Sequence, residues 1–164
     1  MRSSSAFDRS LSYSVGLMAF VACVILSAPP AAAAPQARSV ADRVVTLTNA
    51  ERAKAGCDPL RAEPRLTRAA QAHAEDMAAK GFLSHNSSRG GPGDRIRAAG
   101  YRARMWAENI AAGQSGPSEV VAAWMRSAGH RANILNCRLR DIGVGSAPGR
   151  NGTPYWVQNF ATSR

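Results

Sequence analysis

The segment 127–137 constrains the fold of this chain more than any other stretch. In it a glycine precedes His130, so the backbone can bend there and the imidazole can point away from the start of a helix. An isoleucine–leucine pair then anchors the segment to a core, and Cys137 closes it. We expect this segment to form one wall of a polar site on which His85 and Glu108 converge.

The cysteine count indicates how that segment is tied down. Cys23 lies in an apolar N-terminal run, and removal of that run leaves Cys57 and Cys137. An even number of cysteines in an exported chain predicts one disulfide. Closing a loop of about 80 residues would stabilise the fold by ~4 kcal/mol in the chain-entropy description. The alternative is a pair of free, buried thiols.

Residues 1–33 have the pattern of a secretory signal peptide. Arg2 and Arg9 form a weakly basic start, residues 11–26 are apolar, and small residues lead to an expected cleavage site near Ala33. A membrane anchor is the alternative, but the apolar run is shorter than the ~20 residues that span a bilayer. We therefore expect a secreted, extracellular protein.

Two further expectations follow from the leader. Residues 34–39 form a short linker, and residues 40–164 form one domain, a length that allows a proper core. Lipidation of Cys23, in place of its removal with the signal, is an alternative that the sequence leaves open.

The chain is strongly basic, with a formal net charge of +10 that comes almost entirely from arginine. An exported basic protein is attracted to anionic cell-wall or membrane surfaces. Compositional bias accounts for the same charge, because the arginines are scattered and few aromatic residues accompany them. The sequence contains no nucleic-acid-binding motif, so nucleic acid is not an expected partner.

The hydrophobic periodicity predicts helices and short strands in alternation. Helices are predicted over residues 40–55, 64–80, 94–99 and 117–126, with another short helix around His130. Strands are predicted over 105–111, 140–146 and 154–161, the last two as a hairpin joined by a Gly/Pro-rich turn. The predicted fold class is mixed α/β, with a small antiparallel sheet between helices.

Two polar residues fall on apolar faces of these elements. His73 lies on the apolar face of the second helix, which favours a core histidine with a local hydrogen-bond partner over a ligand. Glu108 shares a strand face with Trp106 and Ile110. A half-buried carboxylate needs partners, so Glu108 is a candidate site residue.

Five motifs occur in an order and spacing that identify a family. Together they resemble the CAP superfamily (cysteine-rich secretory, antigen 5 and pathogenesis-related proteins, or SCP-like domains), in its bacterial secreted branch, over residues 40–160. The motifs are Phe82-Leu83-Ser84-His85, Ala107-Glu108-Asn109-Ile110-Ala111-Ala112-Gly113, Trp124 with Gly129-His130-Arg131-Ala132-Asn133-Ile134-Leu135, Ile142-Gly143-Val144-Gly145 and Tyr155-Trp156-Val157-Gln158-Asn159-Phe160.

The resemblance implies a three-layer α-β-α sandwich with a cleft lined by two histidines and two glutamates. His85, Glu108 and His130 match three of these positions, and Ser127 stands where many members have the second glutamate. In some members the histidines bind a divalent metal such as zinc. The resemblance therefore implies His85, His130 and Glu108 as the ligands of such a metal, although no cofactor is required.

Three functions remain open on these grounds. The favoured one is a non-enzymatic module, expected to be a monomer, that binds a ligand or partner at the cleft; the family suggests a lipid or sterol. The second is a metal-dependent extracellular hydrolase acting on peptide or cell-wall substrates, which Ser127 disfavours because it removes a candidate general base. The third is a basic structural protein of the cell envelope. No Ser/His/Asp triad is credible, since Ser127 lacks a nucleophile-elbow motif.

Overall fold

The computed structural model describes residues 39–164. The predicted signal peptide, its cleavage site near Ala33, Cys23 and nearly all of the linker lie outside the described residues. Within 39–164, five helices and four strands follow one another in the order α1 (Val40–Lys54), β1 (Arg61–Ala62), α2 (Pro64–Lys80), α3 (Pro92–Ala98), β2 (Ala103–Ala112), α4 (Pro117–Arg126), α5 (Ala128–Ile134), β3 (Asp141–Pro148) and β4 (Pro154–Ser163).

The strands form one sheet in the order β1-β3-β4-β2. Strands β3 and β4 make the predicted antiparallel hairpin. Strand β2, predicted as a strand over residues 105–111, pairs antiparallel with β4. The two-residue strand β1 was not predicted, since it is too short to show a period, and it pairs parallel with β3. The sheet is therefore mixed, with a parallel edge of two residues.

Helices cover both faces of the sheet, so the predicted three-layer α-β-α arrangement is confirmed. Alternate residues of β4 separate the two cores: Val157 packs with residues of α2, whereas Trp156 and Phe160 pack with residues of α1, α4 and α5. Helix α3 joins α2 on its side of the sheet, where Ile96 packs with Leu66.

The helix boundaries follow local signals. Helices α2 and α4 have their predicted bounds, and each begins with proline, which is tolerated in the first turn because its missing N–H needs no partner there. Helix α3 begins at Pro92, two residues before the predicted start. The backbone N–H of Gly91 donates to the Asp94 carboxylate (3.1 Å), so Asp94 caps this helix from within its first turn.

Two glycines of β3 let helix α2 lie directly on the sheet. A Cβ atom added at Gly143 would lie 2.1 Å from the backbone of Leu66 and Thr67, and one at Gly145 would lie 2.3 Å from the Gln71 nitrogen. Any side chain at either position would push the helix away. The absence of side chains there fixes how closely α2, and the loop that follows it, approach the strands.

The guanidinium group of Arg52 is fully buried at the end of α1. It donates to four backbone carbonyls: twice to Asp58 (3.1 and 2.9 Å), and once each to Ile134 (2.8 Å), Asn136 (3.0 Å) and Leu139 (3.1 Å). No carboxylate pairs with it within residues 39–164. Peptide dipoles alone therefore solvate this charge, and they join the end of α1 to the end of α5 and the approach to β3.

A disulfide between Cys57 and Cys137 closes the same region, with the two Cα atoms 4.9 Å apart. The predicted pairing is confirmed, and the alternative of two free thiols is wrong. Across the described helices, none is both long and apolar enough to cross a membrane.

Reduction of the disulfide should lower the melting temperature of the domain by more than ~10 °C. The reason is that the open chain regains the conformational entropy of a loop spanning 80 residues. This corresponds to about 4 kcal/mol, and in a domain of this size a loss of that magnitude lowers the midpoint by that many degrees. Cys57→Ala should reproduce the shift, and reductant should then have no further effect. Thermal unfolding followed by circular dichroism measures both, and an unchanged midpoint in either case would contradict the prediction.

Candidate functional site

The site is built around Glu108 on the edge strand β2. Along this strand alternate side chains point to opposite faces of the sheet. Trp106, Glu108 and Ile110 share one face, as predicted, and that face is turned toward the α2/α3 layer. Of these three residues only Glu108 is charged, and its side chain is buried from water, with 1% exposed. Ile110 lies in the α2 core, whereas Trp106 stays half-exposed.

Arg95 of α3 neutralises this carboxylate. Its Nη2 atom donates to Glu108 Oε2 (2.7 Å), and its Nη1 atom donates to the carbonyls of His85 (2.9 Å) and Gly90 (2.8 Å). Both side chains are almost completely buried, at 4% and 1% exposure. When its amide is oriented to satisfy both neighbours, Asn159 of β4 also donates to Glu108 Oε2 (3.0 Å). One guanidinium thus fixes the carboxylate and the His85 loop together.

His85 binds the other oxygen of the same carboxylate. Its Nδ1 atom lies 2.8 Å from Glu108 Oε1, and the imidazole is 49% exposed. A carboxylate only accepts hydrogen bonds, so Nδ1 carries the proton, and in the neutral ring Nε2 is left as an acceptor. The structure therefore holds an oriented imidazole at the protein surface.

The segment that carries His130 lies on the opposite face of the sheet. Asn109, the residue after Glu108, donates to the backbone carbonyl of His130 (3.2 Å) and to Gln158 Oε1 (3.1 Å). Asn133 of α5 donates to Asn109 Oδ1 (2.9 Å) and to the Glu108 carbonyl (3.3 Å). Consecutive residues of β2 therefore hold the two histidine-bearing segments, one on each face.

Two histidines have lowered pKa values. Burial lowers the pKa of His130, and repulsion by the protonated form of His85 lowers it further. Burial also lowers the pKa of His73, followed by the charge of Arg95. Nε2 of His73 lies 2.9 Å from the Ser84 carbonyl, so the prediction of a core histidine with a local partner is confirmed.

The structure brings the predicted residues together only in part. Glu108 contacts His85 but forms no hydrogen bond with His130. Ser127 is the N-cap residue of α5, and its side chain makes no capping hydrogen bond. Within residues 39–164, no three His, Cys, Asp or Glu side chains are grouped so that they could hold a metal ion.

The donor set does not fit a metal centre made of His85, Glu108 and His130. Both oxygens of Glu108 already accept hydrogen bonds, and the adjacent Arg95 cation would repel a divalent ion. Only the two imidazoles would then remain as metal ligands, with no carboxylate beside them. Metal binding by these three residues therefore stays a prediction, with the contacts of Glu108 against it.

Arg95 is the site residue that sequence reasoning missed. It is one of many arginines that composition alone would explain, and nothing in its own motif marks it as buried. The one signal in the sequence for such a residue was Glu108, a half-buried carboxylate that needs a partner. Sequence reasoning also missed Asn159, which lies in the last of the five motifs but was not connected with the site.

Comparison with known proteins gives one family and several relatives. A model of the cysteine-rich secretory protein family, CAP, matches residues 45–160. The uncharacterized protein YkwD of Bacillus subtilis (strain 168) is 44% identical over 119 residues, covering 72% of this chain and 45% of YkwD. The uncharacterized membrane protein YlbC of the same strain is 31% identical, covering 72% of this chain and 33% of YlbC. The chain thus spans less than half of each of these relatives.

Solved structures share the fold. An extracellular protein containing a SCP domain from Bacillus anthracis is 29% identical, with a TM-score of 0.69, over 76% of this chain and 40% of that one. An outer surface protein from Borrelia burgdorferi has a TM-score of 0.70 at 20% identity, over 75% of this chain and 92% of that one. The second likeness is one of fold alone.

Glu108→Gln should lower the free energy of unfolding by ~3 kcal/mol, because it leaves the buried Arg95 cation without its counter-charge. Arg95→Met should have a similar effect for the opposite reason. In the double variant the two losses should not add, since the second change removes a group that the first has already left unpaired. Urea unfolding of the four proteins gives the coupling energy, and strictly additive losses would contradict a direct pair.

Acidification should destabilise the domain through His73 and His130. Their pKa values are lowered in the folded state, so the unfolded chain binds more protons once the pH falls through the ordinary histidine value of about 6.5. The stability that these two neutral imidazoles contribute is fully present above that pH. It decreases as the pH falls further, until the folded-state pKa values are reached. His73→Gln should reduce the pH slope of the urea midpoint between neutral pH and about pH 5. An unchanged slope would contradict the assignment.

Proposed function

The chain belongs to the cysteine-rich secretory protein (CAP) family, and on that premise we propose that it is a secreted module that binds a ligand at the His85–Glu108–His130 cleft without catalysing a reaction. The observation that carries the proposal is the double engagement of the Glu108 carboxylate by His85 and Arg95. A carboxylate held in this way orients an imidazole and, because its side chain is buried from solvent, it is not placed to activate water.

The ligand contact is the exposed imidazole of His85. Its Nε2 atom is an acceptor in the neutral ring, so the complementary ligand group is a donor such as a hydroxyl. Leu83, two residues earlier in the same loop, is 53% exposed and provides apolar surface beside it. These features support an amphiphile with a hydroxyl head, and we propose a lipid or sterol of this kind as the ligand class.

A divalent-metal hydrolase is the second candidate, and the donor set argues against it. A hydrolytic zinc site needs three protein ligands and an open position for water. Here the third ligand would be Glu108, which is neutralised by Arg95, and Ser127 offers no carboxylate as a general base. We therefore propose that the cleft works without a metal cofactor.

The location follows from the leader pattern and the relatives. The related Bacillus anthracis protein is described as extracellular, which supports export of this chain as well. The basic surface would then draw the protein to anionic wall or membrane material. An envelope protein that uses only this charge, and not the cleft, is the third candidate.

A fluorescent sterol, dehydroergosterol, tests the proposal directly. The wild-type domain should bind it, and His85→Ala should weaken binding about ten-fold, the effect of one lost hydrogen bond with its positioning. His130→Ala should weaken binding as well, because His130 forms the opposite wall. Arg43→Ala is the matched control, because this exposed α1 residue makes no hydrogen bond to the site, and its affinity should equal that of wild type.

Zinc calorimetry on the same proteins separates the candidates. The wild type should show no zinc affinity that depends on both histidines. Tight zinc binding lost in His85→Ala and in His130→Ala, together with a hydrolytic activity lost in both, would overturn the proposal in favour of the hydrolase. Absence of sterol binding, with salt-sensitive retention on wall material in every variant, would overturn it in favour of the envelope protein.

A further inference from the structure

A second groove lies between helix α3 and the N-terminal half of strand β2. Its volume is about 1040 Å³, and neither His85 nor Glu108 lines it. Trp106 lines it, with Gly93 of α3 against the indole, and Arg97 and Arg102 are among the other lining residues. The groove is independent of the cleft contacts on which the proposed function rests, although it is also lined by Asn86, the chain neighbour of His85.

Trp106 is an exposed aromatic platform. It is 48% exposed, whereas Trp124 and Trp156 are buried. An added Cβ at Gly93 would come within 3.0 Å of the Trp106 ring, so the indole rests against the backbone of α3. A large apolar ring that is held in place and still half in contact with water is a feature of binding surfaces.

The charge of the groove is positive. Arg97 is paired with Asp94, but Arg102 is exposed and makes no ion pair within the described residues. Arg164 also lines the groove. Arginine guanidinium groups favour carboxylate and phosphate groups, which they bind through paired hydrogen bonds.

We propose that this groove binds an anionic saccharide, with a sugar ring packed on Trp106 and a carboxylate or phosphate substituent on Arg102. A flat aromatic wall accepts the apolar face of a sugar ring, and the lining arginines select for charge. The volume of the groove, about 1040 Å³, suits a chain of such units more than a single small ion.

Binding of short oligosaccharides tests this proposal. Oligogalacturonate carries carboxylates and a sugar-phosphate oligomer carries phosphates, so the two probes distinguish the sources of charge. At least one should bind and change the fluorescence of Trp106, the exposed tryptophan, while a neutral galactose oligomer and oligoglutamate should bind at least about ten-fold more weakly. Equal binding of oligoglutamate would overturn the proposal, because charge alone would then be sufficient.

Variants locate the site. Trp106→Ala and Arg102→Ala should each weaken binding of the preferred oligosaccharide about ten-fold by calorimetry, which corresponds to one stacking contact or one charge-assisted hydrogen bond. Trp106→Phe keeps a flat ring and should retain part of the affinity, provided that circular dichroism shows an intact fold. Arg43→Ala removes an equal charge from α1 and should leave the affinity unchanged. An equal loss in Arg43→Ala and Arg102→Ala would overturn the proposal.

Discussion

Strand β2 places the side chains of Glu108 and Asn109 on opposite faces of the sheet, because successive residues of a strand alternate. Glu108 binds His85 on one face, and Asn109 binds the His130 carbonyl on the other. The two histidines come from segments 45 residues apart that share no secondary structure. Their approach therefore depends on one dipeptide at the edge of the sheet, and a shift of one residue in the register of β2 would exchange the two faces.

Two buried arginines support this arrangement in different ways. Arg95 is compensated by a carboxylate, and loss of either partner leaves an isolated charge. Arg52 is compensated only by backbone carbonyls, so its charge is spread over several peptide groups. The first arginine links α3 and the His85 loop to the sheet, and the second links α1 to α5. Each helical layer of the sandwich thus contains one buried arginine whose hydrogen bonds hold its elements in place.

Much of the architecture could be predicted because it follows from hydrophobic periodicity and from the proline, glycine and other turn residues that bound the helices and strands. The bounds of α2 and α4 lie between proline and glycine or polar residues, and the β3–β4 hairpin is separated by turn residues. Strand β1 could not be predicted, because two residues have no period. The role of Arg95 could not be predicted either, because burial of an arginine depends on a partner that is distant in the chain. Family resemblance singled out His85, Glu108 and His130, but not which of them bind one another.

Helix α5 has only seven residues and would be marginal in isolation. In the protein it is held at its start by Asn109, at its end by Arg52 and just beyond by the disulfide. The segment that carries His130 is therefore held in place by contacts within the domain itself. Preorganisation of this kind removes the entropy of ordering from an association step. For a ligand of the proposed kind, the contacts made with this wall would be expressed almost fully as affinity, even when they are few.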